Sequence, residues 1–258
     1  MSTAASPRRA RPLQAVLAPI VLGLIVVLAW QGAVLAFAIK PFILPAPFTI
    51  GAQFAGNLQS VVAGMTVTGR NALVGLLLGV VIGVLLAIVS ALVRVFDAMA
   101  APIVSAIAVV PIVALAPVLY TMFGAGAETA RQLVAALAVF VPVYFNTLKG
   151  LRQVRPVHRD LMRSYAASSW QATRAVTLPT ALPFVFTGLR IASSLAVISA
   201  LIAEYFGGPV GGLGKSITSA AASSNYGLAW AYVLGSVILG LVFYGGSLGL
   251  ERLALRRT

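Results

Sequence analysis

The sequence predicts an all-α integral membrane protein with about six transmembrane helices, N- and C-termini cytoplasmic, and a polar cytoplasmic helix between spans four and five. Three observations carry that prediction. Sixty per cent of the 258 residues are hydrophobic and 9% are charged, with a mean hydropathy of +1.01, too little charge to clothe a water-soluble domain of this length. The apolar residues gather in six runs, and a helix needs roughly 20 residues to cross about 30 Å of hydrocarbon. The basic residues are shared unevenly between the intervening loops, the asymmetry that orients membrane proteins. A single membrane domain over residues 1–258 accounts for the chain.

The elements follow in order. The opening MSTAASPRRARP is basic, and the uncharged stretch from Pro12 to Ile39 exceeds the apolar core of a cleaved signal, so an uncleaved first span at about Leu13–Phe37 is expected. Pro41, Pro45 and Pro47 in KPFILPAPF predict an extended segment after it. The second span, about Asn71–Val93, carries Gly75, Gly79, Gly83, Ala87 and Ala91 at intervals of four. Small residues at that spacing form a flat stripe for close helix approach; packing within the subunit and a subunit interface both fit it. The third span, about Met99–Phe123, contains Pro102, Pro111 and Pro117. Carbonyls freed by proline are tolerable in a membrane only beside protein or a cavity, so a kink is expected, whether it lines a pathway or simply packs.

Span four, about Arg131–Leu148, is the shortest, with 17 uncharged residues between Arg131 and Lys149; its end charges must snorkel to the interfaces. Span five covers about Leu182–Ala203. GGPVGGLG at Gly207–Gly214 reads as a turn-rich bend, and span six covers about Leu228–Leu250. With the N-terminus inside, 13 of the 18 basic residues are cytoplasmic: Arg8, Arg9, Arg11, Arg94, Lys149, Arg152, Arg155, Arg159, Arg163, Arg174, Arg252, Arg256 and Arg257. Lys40, Arg70, Arg131 and Lys215 fall outside and Arg190 lies within span five. Reversing the chain would exchange 13 for 4, so inside termini win.

Several kinds of chemistry lack support. The net charge of +13 belongs to this membrane asymmetry, and nucleic acid is not an expected partner. Gly214-Lys215-Ser216 ends like a phosphate-binding loop, but the required glycine five positions earlier is Pro209 and no soluble strand precedes it. His158 is the single histidine and there is no cysteine, so no metal site is expected. Five acidic residues, Asp97, Glu128, Asp160, Glu204 and Glu251, leave little for acid–base catalysis. The sequence predicts no catalytic centre and no cofactor in this chain.

The polar island KGLRQVRPVHRDLMRSYAASSWQATRAVTLP, Lys149 to Pro179, gains meaning from its spacing. Leu161, Tyr165, Ala166, Ala167 and Trp170 recur at helical intervals and predict one apolar face. Arg155, Arg159 and Arg163 form a basic stripe suited to an acidic partner, although an amphipathic helix resting on anionic membrane lipid is the simpler alternative. Pro179 and Pro183 suit the start of the next helix. Asp160-Leu161-Met162, three residues, Ala166, nine residues and Val176-Thr177-Leu178-Pro179 fit the pattern E-A-A-x3-G-x9-I-x-L-P. That pattern resembles the cytoplasmic signature of permease subunits in binding-protein-dependent ABC importers. The string YAASSWQATRAVTLPTALPFVFTGLRIA from Tyr165 is similar to the nitrate, sulfonate and taurine group, which includes importers of thiamine-pyrimidine precursors. LPAPFTI, the glycine-striped span and AEYFGGPVGGLG extend the likeness. Asp160 replaces Glu, Leu161-Met162 replace the alanine pair, and Ala166 stands at the glycine position.

The resemblance implies a multi-pass protein of the bacterial inner membrane, working by alternating access as a homodimer. Its partners would be two cytoplasmic ATPase subunits, which hold the ATP and Mg, and an extracytoplasmic substrate-binding protein. It also implies that a coupling helix at about 155–174 docks the ATPase, through Arg155, Arg159, Asp160, Leu161, Arg163, Tyr165, Ala166, Ala167, Trp170, Leu178 and Pro179. The pathway candidates are Arg70, Arg190 and Glu204. Arg190, without an obvious partner inside span five, either faces a gate or an anion or snorkels to headgroups. Glu204 contacts the pathway or binding protein, or is an interfacial charge. A stand-alone secondary transporter or channel is the rival reading; it predicts ion-coupling acids or inverted repeats, and neither is apparent.

Overall fold

In the computed structural model, residues 12–124, 126–209 and 211–256 are described. Eleven helices and one π turn build them: α1 (Pro12–Ala36), α2 (Pro47–Gly56), α3 (Leu58–Leu92), α4 (Arg94–Val109), α5 (Ile112–Phe123), α6 (Thr129–Arg152), α7 (Pro156–Ser164), α8 (Ser169–Ala172), the π turn Thr173–Thr177, α9 (Leu178–Phe206), α10 (Leu213–Ala222) and α11 (Tyr226–Leu255). Five helices are long and apolar enough to cross a membrane, and α4 with α5 forms a sixth, bent pair.

α6 is the axis of the molecule. Its small and β-branched residues Ala135, Val139, Val143 and Ala130 are buried because α3 and α9 lie along its two sides. The glycine stripe sets the first of these seams. A Cβ on Gly79 would stand 2.6 Å from the Ala136 carbonyl oxygen and from Val139. One on Gly75 would strike Ala135, and one on Gly83 would come within 3.0 Å of Val143. Gly75, Gly79 and Gly83 therefore pack α3 on α6 inside the subunit, where backbone approach replaces the hydrophobic effect that lipid cannot supply. Ala87 continues the stripe in the core, whereas Ala91 is exposed. Gly188 and Gly150 open the α6–α9 seam in the same way, against Pro142 and Phe184.

α1 is held mainly at one end. Trp30 meets Trp230 edge-on at 5.7 Å and the Gln31 side chain accepts from the Phe48 N–H at 3.1 Å, while Ile20, Leu22, Leu24 and Leu28 stay exposed as lipid-facing residues do.

Four sequence expectations need correction. Span two starts at Leu58, because helix geometry continues through LQSVVAGMTVTGR although its hydropathy falls. KPFILPAPF is not the extended segment expected: Pro41–Ile43 form a turn in which the Ile43 and Leu44 N–H groups donate to the Lys40 carbonyl, and Pro47 begins α2, its missing N–H harmless at the first turn. The third span is broken at Val110–Pro111 and its halves diverge by 103°; Pro102 and Pro117 sit inside their helices without ending them. Finally, the bend at Gly207–Gly212 keeps positive φ at Gly207, Gly208, Gly211 and Gly212, but it leads directly into α10, a helix that hydropathy alone does not announce.

Candidate functional site

The polar island is a bent arm rather than one helix. Arg155 is extended (φ −65°, ψ 141°) and Pro156 starts α7, which ends at Ser164. There the Ala166 N–H donates to the Arg163 carbonyl at 2.9 Å and the Ala167 N–H to the Met162 carbonyl at 3.0 Å, the paired closure of a Schellman cap. Such a cap puts its outer residue in the left-handed region, and Ala166 lies there at φ +51°. The glycine of the pattern thus marks a helix end, and alanine at this position is strained by roughly 1–2 kcal/mol. Ser168 then opens the next helix with a reciprocal box: its hydroxyl accepts from the Gln171 N–H (3.3 Å), and the Gln171 side chain accepts from the Ser168 N–H (2.8 Å).

This geometry overturns the single apolar face expected over residues 161–170. Leu161 belongs to α7, Tyr165, Ala166 and Ala167 to the elbow, and Trp170 to α8. The side chains are nonetheless presented together outward: Tyr165 is 74% and Trp170 68% exposed, and Leu161, Ala166, Leu178 and Pro179 are exposed as well. Ala167 is partly covered. Arg159 and Arg163 remain one turn apart on exposed α7, Arg155 sits at its N-cap, and Asp160 pairs with Arg163 at 3.7 Å. Pro179 does not start the transmembrane helix either. Helical structure runs unbroken from Ser169 to Phe206, and the wider π turn just before Pro179 accommodates its ring and missing N–H.

At the other end of that long helix lies a second polar centre, and it is closed. Glu204 is fully buried. Its carboxylate accepts from the Thr68 hydroxyl at 3.0 Å and from the Gly214 N–H at 2.8 Å, and it faces Arg131 Nη1 at 3.9 Å. The Thr68 hydroxyl oxygen accepts in turn from the Leu213 N–H at 2.8 Å, so two donors at the start of α10 are satisfied by side chains from α3 and α9. Arg131, also fully buried, donates to the Pro209 carbonyl at 2.6 Å and to the Tyr120 hydroxyl at 3.4 Å, and Tyr120 donates to the Ala203 carbonyl. Five helices and the glycine bend meet on this one ion pair. Glu204 is therefore sealed in protein and offers a passing solute no surface.

The remaining pathway candidates are paired. Arg190 reaches Glu251 of α11 and Arg70 reaches Glu128 at the start of α6; an acid of this chain, rather than an anion or lipid headgroups, holds Arg190. Asp97 and Arg152 pair at 2.7 Å between α4 and α6. Every one of the five carboxylates thus holds an arginine. Sequence reasoning missed Arg131 and Thr68 as partners of Glu204, and Tyr120 as a partner of Arg131, since Glu204 stands far from all three in the chain. The usable signal was the lone acid ending an apolar run, which demands a buried cation. Gly245-Gly246-Ser247-Leu248-Gly249 matches the spacing of a nucleophile elbow. It lies in mid-helix, however, with the Ser247 hydroxyl donating to the Tyr244 carbonyl, and makes no elbow.

A bundle of helices long and apolar enough to cross a membrane, with one exposed polar arm, defines a multi-pass membrane protein. More particularly, the chain belongs to the family of binding-protein-dependent transport system inner membrane components, whose model matches residues 79–253. It is 36% identical over 240 residues to the riboflavin transport system permease protein RibX of Chloroflexus aurantiacus, covering 92% of this chain and 88% of that one. It is 35% identical over 158 residues to the taurine transport system permease protein TauC of Escherichia coli, covering 61% and 55%. A crystal structure of an amino acid ABC transporter with histidines shares the fold, with a TM-score of 0.62 at 17% identity over 79% of this chain and 96% of that chain. The chain is the permease component of a binding-protein-dependent ABC transport system.

Proposed function

We propose that the arm from Arg155 to Arg174 is the docking surface for a separate cytoplasmic ATPase, and that ATP closure there drives alternating access in a pair of these chains. The supporting observation is the arm itself. Tyr165 and Trp170 project from a capped elbow at the foot of a helix that crosses the whole molecule. Large aromatic side chains left in water beside arginines are the composition of a protein interface, and anchors of this kind dominate binding energy. In this reading the α7 side is cytoplasmic, in keeping with the nine basic residues assigned to it among the described residues, Arg8, Arg9, Arg11 and Arg257 lying outside them. An external binding protein delivers solute to the α10 side, and ATP and Mg stay on the partner.

The permease supplies a pathway and no bond-breaking chemistry. The Arg190–Glu251 and Asp97–Arg152 pairs, toward the α7 side of the bundle, join neighbouring helices that must shift when the inner side opens; Arg190 and Arg70 are retained as pathway-side residues and Glu204 is not. The cargo is a small polar nutrient, with riboflavin and taurine, named for two relatives, as the first to assay.

The test combines Tyr165→Ala with Trp170→Ala. Removing two exposed anchors is expected to reduce copurification with the ATPase at least about tenfold while leaving thermal stability in detergent unchanged. Normal copurification and normal ATP-dependent uptake in proteoliposomes would refute the docking assignment. Uptake that persists with no ATPase present would instead favour the stand-alone transporter.

A further inference from the structure

We propose that the cavity between α10 and the start of α11 is a binding site for an oxyanion group, such as the carboxylate or sulfonate of a solute arriving on that side. It rests on the import reading only for the ligand's side of entry. The cavity has a volume of about 340 Å³ and is lined by Gly211, Lys215, Ser216, Ser219, Ser223 and Tyr232 among others. α9 crosses the molecule between the docking arm and α10, so the cavity opens at the end remote from the arm.

The case is one of unspent donors. Lys215 is partly buried and no ion pair holds it among the described residues, where all five Asp and Glu side chains are engaged by arginines. On the same side, Arg70 and Arg131 hold acids and Lys40 is exposed; Lys215 alone of these cations sits in a cavity without a counter-charge. The hydroxyl of the largely buried Tyr232 and that of the exposed Ser219 line the same space, and among the described residues neither has a hydrogen-bond partner. The Ser216 hydroxyl donates to the Gly212 carbonyl at 2.9 Å and its oxygen faces the same lining. An ammonium and two hydroxyls lining one cavity, with no carboxylate among its lining residues, match a group that offers several oxygens and a negative charge. Partly buried cations near a membrane are costly unless paired, and the cavity beside Lys215 supplies room for the pair.

The mount is rigid. Glu204 and Thr68 fix the first N–H groups of α10, so the backbone that carries Lys215, one residue beyond Gly214, is held in place before any ligand arrives. Preorganisation of this sort converts directly into affinity.

The purified permease in phosphatidylcholine nanodiscs is titrated with ethanesulfonate, and binding is read by saturation-transfer NMR. Saturable binding is expected. Lys215→Gln should weaken it about tenfold or more, the usual effect of losing a charged hydrogen bond, Tyr232→Phe less, and Lys215→Arg should keep most of it. Copurification of Lys215→Gln with the ATPase should remain normal, which separates this site from the docking arm. A second arm uses nanodiscs containing phosphatidylglycerol. Lys215-dependent enrichment of that lipid, with no ethanesulfonate binding, would assign the oxyanion to a headgroup phosphate and overturn the solute role. Equal ethanesulfonate binding by wild type and Lys215→Gln, or no binding of either anion, would overturn the site.

Discussion

Glu204→Gln should destabilise the permease far more than its shape change suggests. The substitution keeps an oxygen able to accept from Thr68 and Gly214, now found at 3.0 and 2.8 Å, so the hydrogen-bond framework can persist. Even losing one such bond inside a membrane protein typically costs only about 0.6 kcal/mol. The charge is a different matter. Arg131 is fully buried, with Nη1 lacking any hydrogen-bond partner and facing Glu204 at 3.9 Å. Removing one member of a buried pair strands the other and costs roughly 3–5 kcal/mol. The Arg131→Met, Glu204→Gln double variant should recover most of that loss, because no lone charge remains. The assay is reversible unfolding in bicelles for the two single variants and the double, combined as a mutant cycle. A coupling of at least about 2 kcal/mol is expected. A Glu204→Gln variant within about 0.5 kcal/mol of wild type, or no coupling, would refute the view that this ion pair organises the α10 end.

Two other substitutions test the helix seams and the elbow. Gly79→Ala should lower stability by about 1–3 kcal/mol, since the new methyl meets the Ala136 carbonyl oxygen at 2.6 Å; Gly23→Ala in α1, with nothing within 4 Å, should be neutral or mildly stabilising, and equal thermal shifts for the two would sink the seam argument. Ala166→Gly should relieve the φ +51° strain by about 1 kcal/mol, slowing hydrogen exchange of the Ala167 amide roughly fivefold; unchanged or faster exchange would contradict the Schellman closure.

The membrane class and most spans were legible because hydrocarbon imposes a composition that nothing else in the chain imitates. What stayed hidden is instructive. Residues 58–70 are helical but not apolar enough to register as span, so α3 looked shorter than its 35 residues. Ala166 and Ala167 read as helix because alanine is the best helix former, yet the chain turns there. The hint was the glycine that the family pattern carries at this position. The α3–α6 seam was foretold as a stripe, while its partner helix was not. Glu204 was singled out, but its partners Thr68 and Arg131 lie 136 and 73 positions away, and no local periodicity links them. Burial turned the supposed pathway acid into an internal tie.

The unbroken helix from Ser169 to Phe206 has a mechanical consequence. Thirty-eight residues at 1.5 Å each make a rod of about 57 Å, nearly twice the hydrocarbon thickness. Trp170 stands at its foot and Glu204 at its head, so a pivot of about 5° near the middle swings both ends by roughly 2.5 Å in opposite directions. The π turn at Thr173–Thr177 places a compliant joint just above the foot. With the ATPase docked as proposed, a push on the arm that exceeds the give of this joint passes along one continuous piece of backbone to the end of the molecule that carries α10.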